Sequence, residues 1–324
     1  MSILLQELLK DIPGDTEEQV DLTRKRINNE VREAIRKETG LALNRKDADQ
    51  SRKNISVPVV LVPGLPEVLR NMKYDDDQEL LLKISPFRRD LEMARNSLKN
   101  IKPLLKKLSL DDSCEESLKD KGGHIESNCS LIDALLQLFE GKDDPVERIL
   151  EVNKDILGAY RYYPVRTRYP QQQNAKIELY WGVIGLVAEM LGVSVDSLTA
   201  VVLIHEVAHA YTHLGADIDG KRWDSEGFAK SEHALKEGLA QYYTYLICSQ
   251  IDNRVIGTSE AFNALLKRQA DDYRSHEEKM KDSKVEEIRY SLLDVRRKGV
   301  STLDDFHNTL EEAKQRFSSK HYTI

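Results

Sequence analysis

Between residues 16 and 39, apolar side chains recur at helical spacing (Val20, Leu22, Ile27, Val31, Ile35) among many charges, and Gly40 follows as a stop. This pattern predicts an amphipathic helix, after which the polar stretch 44–54 reads as a linker. The run Ile55 to Leu65 is β-branched but interrupted by Pro58 and Pro63, so it is at most a short edge strand or an extended segment. Helical patterning resumes from Asp76. Ser85-Pro86 forms a cap and a first-turn proline, opening a helix expected to end before Pro103. Residues 109–128, with Asp111, Asp112, Glu115, Glu116 and Gly122-Gly123, have the composition of a mobile loop. Helices are predicted near 129–140 and from Pro145 to Ile156.

The texture then changes. Leu157 to Tyr163 and Lys176 to Trp181 are short, aromatic-rich and partly alternating, with a turn-like Pro170-Gln-Gln-Gln-Asn174 between them. They predict a small antiparallel sheet. Helices are expected at 183–191, 197–214, about 228–250, 259–280, 284–297 and 302–318, with no internal repeat. The fold class is therefore mainly α with a minor β part (α+β), divided into a helical N-terminal region, 1–145, and a second domain, 146–324.

Composition sharpens this picture. The 324 residues are 32% charged, and apolar stretches such as Ile184 to Leu191 fall far short of the ~20 residues that a membrane span needs. The 16 Gly and 9 Pro, with no Pro after Pro170, favour long helices over a turn-rich sandwich or barrel. The net charge of -7 is evenly divided, since residues 1–150 carry 25 basic and 29 acidic side chains (-4) and the rest carry 23 and 26 (-3). Neither half resembles a nucleic-acid arm, so no nucleic-acid or membrane partner is expected. The first residues, MSILLQELLKDIPGD, do not read as a signal peptide, and Cys114, Cys129 and Cys248 form no CxxC pair, so a cytoplasmic location is expected.

Chemistry concentrates in Val201-Val-Leu-Ile-His-Glu-Val-Ala-His-Ala-Tyr-Thr-His213. Asp196 is a plausible N-cap for a helix starting at Ser197. On that helix His205 and His209 lie one turn apart on one face and can reach a single tetrahedral metal, while Glu206, rotated by about 100°, can hold a water. The uncharged flanks Val202, Leu203, Ile204, Val207, Ala208 and Ala210 indicate a buried helix, in which two histidines and a glutamate are costly without a partner. His213 continues the row but lies about 12 Å along the axis from His205, too far to share a metal with it. A third ligand must come from elsewhere. Glu232 and Glu237, five positions apart, point about 140° from one another on a helix, so only one of them can face the metal.

HEVAH followed by Glu237-Gly-Leu-Ala-Gln-Tyr-Tyr243 resembles the gluzincin metallopeptidases, in which an HExxH helix packs against a helix carrying a ligand Glu. The resemblance covers about residues 160–250. It implies a zincin-like core with a small antiparallel sheet over the HExxH helix, one Zn2+ per chain, and Glu237 as third ligand beside His205 and His209. Gly238 and Ala240 fit a close approach of the two helices. The chain departs from thermolysin-like members at Gln241, where they carry an acidic residue, and it lacks the further Gly and His of metzincins. The resemblance also implies an edge strand that pairs with extended substrate, for which Ile177, Leu179 and Tyr180 are candidates.

The implied activity is that of a zinc endopeptidase acting on a cytosolic protein or peptide, latent and signal-triggered in one version, with Glu206 as general base. Candidate oxyanion donors are Tyr243, His233 and Tyr242, together with Tyr163. Gln241, Asp219 and Asp217 are candidates for orienting a ligand imidazole. The alternative is a non-catalytic binding or regulatory protein with a structural zinc. Residues 1–145 then suggest a regulatory or substrate-recognition element, and the charged helices after 259 a solvated scaffold.

Overall fold

The computed structural model describes residues 12–43, 56–70, 83–84, 87–105, 112–137, 156–163, 175–217, 225–269 and 271–319. Helix α1 (Thr16–Thr39) buries Val20, Ile27, Val31 and Ile35 and leaves Leu22 exposed, and Gly40 ends it in the left-handed conformation, φ 64°. Strand β1 (Val59–Leu61) and the short α2 (Glu67–Arg70) follow. Pro58 and Pro63 flank β1 rather than interrupt it, so neither removes a ladder donor.

Two expectations fail in the next segment. Helix α3 (Arg88–Leu105) runs through Pro103 instead of ending before it. The missing amide falls in the last turn, where it costs one bond in a helix that stops two residues later. Helix α4 (Asp112–Gln137) occupies most of the expected loop. Five of its eight charged residues are Glu or Lys, which are good helix formers, and Gly122 and Gly123 weigh most against the helix, by about 1 kcal/mol each. The helix expected at Pro145 to Ile156 falls almost entirely outside the described residues.

Strands β2 (Gly158–Tyr162) and β3 (Ala175–Leu179) pair antiparallel as expected, with Tyr160 opposite Ile177. β1 adds in parallel on the other side of β3, with Val59 opposite Ile177. The sheet is thus mixed, in the order β1-β3-β2, rather than purely antiparallel. Trp181 opens a helix, α5 (Trp181–Leu191), rather than closing a strand.

Helix α6 (Val195–Leu214) carries the HExxH motif and is buried at every position from Ser197 to Leu214. Its cap is Ser194, whose Oγ accepts from Ser197 N at 3.0 Å. Asp196 lies inside the first turn and accepts from Thr23 Oγ1 at 2.7 Å, which ties α6 to α1. Then come α7 (Ser225–Ala229) and α8 (His233–Ile251). The helix expected over 259–280 is broken into α9 (Thr258–Leu266), α10 (Asp271–Arg274) and α11 (His276–Lys279). Helices α12 (Val285–Lys298) and α13 (Leu303–Ser319) complete the chain.

α6 is buried all round because α1, α5, α8, α9 and strands β2 and β3 pack about it. The apolar side chains of α1 belong to the same continuous core as Leu203 and Leu239, so the division expected at residue 145 does not separate two cores. What stands apart is the α3–α4 pair, where Ile84, Leu91, Ile132 and Leu136 form a small cluster of their own. Among the described residues no helix is long and apolar enough to cross a membrane.

Candidate metal centre

α6 presents His205 and His209 one turn apart, and α8, packed alongside, brings Glu237 to them. All three side chains are buried. His205 Nε2 lies 3.1 Å from His209 Nε2 and 3.2 Å from Glu237 Oε2, and His209 Nε2 lies 3.3 Å from the same oxygen. Ligand atoms bonded at ~2.1 Å to a tetrahedral ion sit about 3.4 Å from one another, so separations of 3.1–3.3 Å are close to those of one metal bound by all three. The group can hold a metal ion. Burial alone would raise the Glu237 pKa, but the histidines' charge and hydrogen bonds outweigh it and hold the carboxyl well below its ordinary value.

Glu232, the other carboxylate considered, is exposed and accepts from Leu303 N at 2.7 Å, far from this role. Gly238 does not serve the approach of α8 to α6. A Cβ there would fall 2.5 Å from Ser275 Oγ, so Gly238 admits the segment between α10 and α11. Helix α10, just before it, places the Tyr273 ring 6.0 Å from His205 and 6.2 Å from His233, centroid to centroid.

Glu206 is 2% exposed and lies against β2. A Cβ on Gly158 would come within 2.9 Å of Glu206 Cγ and 2.7 Å of Val202 Cγ1, so glycine is what lets the strand sit on the helix at this point. By strand alternation Tyr160 and Tyr162 share that face. Tyr160 lays its ring nearly parallel to that of His209, centroids 6.3 Å apart, and its hydroxyl meets His213 Nδ1 at 3.0 Å. His213 Nε2 donates to the Ser225 carbonyl at 2.7 Å, which leaves Nδ1 to accept from Tyr160. Burial first, then the Arg296 charge, push the His213 pKa down to about 4, so it is neutral at pH 7.

These side chains wall a cleft of about 240 Å³ that opens beside His209 and Glu237 and is closed by Tyr160, Tyr162, His213, His233 and Lys236. His233 Nε2 lies 3.6 Å from Glu237 Oε1, and its Nδ1 faces Asp272 at 3.4 Å. Of the expected oxyanion donors, only His233 lines this cleft. Tyr242 and Tyr243 are 1% and 0% exposed in the core behind α8 and cannot meet a ligand, and Tyr163 stands 49% exposed outside the cleft.

Of the expected orienting residues, the two described ones, Gln241 and Asp217, have other partners. Gln241 donates to Gln269 Oε1 at 2.8 Å, and among the described residues it bonds to neither ligand imidazole. Asp217 pairs with Arg289, and Asp219 lies outside the described residues. The expected substrate-pairing strand is also corrected. Ile177 and Leu179 are fully buried on β3, which has β1 on one side and β2 on the other, and Tyr180 N already donates to Leu157 O. Among the described residues, the edge strand nearest the site is β2.

The helices after 259 are more than a solvated scaffold. Arg296 on α12 is 1% exposed and donates from Nη1 to Gly215 O at 2.5 Å and from Nη2 to His213 O at 2.9 Å. A cation thereby satisfies the last carbonyls of the helix that carries the motif. Sequence reading missed Gly158, Tyr160 and Arg296. The period-2 spacing of Gly158, Tyr160 and Tyr162 was a signal for the first two, whereas nothing local distinguishes Arg296 from its charged neighbours.

Comparison with protein-family models, with curated proteins and with solved structures finds no match.

Proposed function

We propose that this chain is a gluzincin-like zinc endopeptidase. The observation that carries the reading is the convergence of His205, His209 and Glu237 to mutual distances of 3.1–3.3 Å beside an open cleft, with Glu206 next to them in sequence. Two imidazoles and one carboxylate suit zinc. A structural zinc would be closed by a fourth protein ligand, and none is found among the described residues, which favours the catalytic reading over the regulatory one. When bound, zinc supplies Lewis-acid polarisation and lowers the pKa of water to ~7.

The protein's own residues do the rest. Glu206 takes the proton of the attacking water and passes it to the leaving amine. His233, on the cleft wall and facing Asp272, donates to the oxygen on which charge develops. Strand β2, whose Gly158 lies against Glu206 and which is an edge strand among the described residues, pairs with an extended substrate backbone. Of the N-terminal region, α3–α4 has its own small core, and a substrate-recognition role falls to that pair.

The test is cleavage of an unfolded protein by the purified chain. Activity that 1,10-phenanthroline abolishes and added Zn2+ restores is expected. Absence of cleavage by a fully zinc-loaded protein across a broad peptide mixture would overturn the reading.

A further inference from the structure

The cleft beside the metal ligands has an uneven distribution of charge. Among the described residues, Glu237 is the one carboxylate on its wall, and its oxygens face the histidines. His213 is neutral, with Nε2–H committed to Ser225 O and Nδ1 to the Tyr160 hydroxyl. Among the described residues, the fixed cation on the wall is Lys236. Its ammonium donates to Ala229 O at 2.9 Å, and among the described residues no carboxylate lies within ion-pairing distance. An ammonium has three protons, so two remain for a ligand. The cleft also abuts the first turn of α8, the positive end of a 19-residue helix. Tyr160 and Tyr162 also line the cleft, and their rings offer apolar contact to methylene groups.

We propose that Lys236 makes this cleft selective for an acidic side chain in a residue flanking the scissile bond, so that the protein cleaves next to Asp or Glu. The inference rests on the metallopeptidase reading and names its substrate class. A glutamate at that position places its carboxylate against Lys236, with its stem between the tyrosines, and its glutamine counterpart loses the charge-assisted bond.

The test uses zinc-loaded full chain and pairs of peptide hydroxamates that carry Glu or Gln on one or the other side of the chelating group, with affinity measured by calorimetry. For one of the two positions, the Glu compound should bind at least ten times more tightly than its Gln partner. Lys236→Met should remove that preference while keeping the affinity for the Gln compound, which also reports that the variant is folded. Equal affinities in the wild type, or a preference that survives Lys236→Met, would overturn the inference and leave the metal site standing. If neither compound of any pair binds the wild type, the metallopeptidase reading itself fails, and this inference fails with it.

Discussion

His205 Nε2 and Glu237 Oε2, 32 residues apart in sequence and on different helices, lie 3.2 Å from one another. A pairing of that kind is specific enough to break by a change of one atom. Glu237→Gln removes the anionic ligand with little change in volume. Since loss of even a residue that merely supports a ligand costs 10–100-fold in metal affinity, a fall on the order of 100-fold or more is expected. Zinc competition against a chelating dye measures it, and Glu232→Gln should leave the affinity unchanged.

Gly158 lets β2 rest on Glu206. In Gly158→Ala the new methyl falls within 3 Å of Val202 and Glu206 carbon atoms, so strand or carboxylate must shift. Overpacking of this sort costs about 1–3 kcal/mol. Catalytic efficiency should drop at least tenfold at unchanged zinc content, as steady-state kinetics beside metal analysis would report.

Arg296 is buried with two helix-end carbonyls as partners. Arg296→Gln leaves at least one of them unpaired, and because hydrogen bonds to charged groups are worth about 1.5–3 kcal/mol each, a destabilisation of about 3 kcal/mol is expected by urea denaturation. Arg296→Lys should recover only part of it, because a lysine cannot reach both oxygens with a rigid fork.

His213 titrates near 4 when folded, against an ordinary 6.5. Its folded pKa is depressed, so between these values the unfolded chain binds the extra proton and stability falls as pH falls. The loss begins below about 6.5 and is complete near 4. It amounts to about 3 kcal/mol for this group. The pKa values of His276 and His307 are also lowered by burial and act in the same direction. The difference between wild type and His213→Gln, both zinc-free and unfolded by urea from pH 7.5 to pH 4, isolates the His213 share. An identical pH dependence in the two would contradict it.

Of the candidate metal ligands, His205 and His209 were legible because helical periodicity converts sequence spacing directly into direction, whereas Glu237 was chosen over Glu232 only through the gluzincin resemblance. His205 and His209 could only share a face, and Glu232 and Glu237 could not both point at it. The burial of α1 was legible for the same reason, from Val20, Ile27, Val31 and Ile35. What the sequence hid depends on contacts between distant segments. β1 pairs with a strand more than 100 residues away, which turned β3 from an edge into a centre. Arg296 is indistinguishable in sequence from Arg297, yet one is buried against the end of α6 and the other is exposed. Asp196 looked like a cap because its position suits one, but Ser194 takes that place and Thr23 holds the carboxylate. α4 was misread because charge density was taken for lack of structure, when Glu and Lys also favour helix.

The most direct test of the central claim is Glu206→Gln. Its side chain is not among the three that converge on the metal position, so the variant should bind zinc with wild-type stoichiometry and melt near the wild-type temperature. Cleavage of an unfolded protein substrate should fall by a factor of at least ~10², the lower end of what a positioned general base contributes. A zinc-loaded Glu206→Gln protein that cleaves at the wild-type rate would contradict the account.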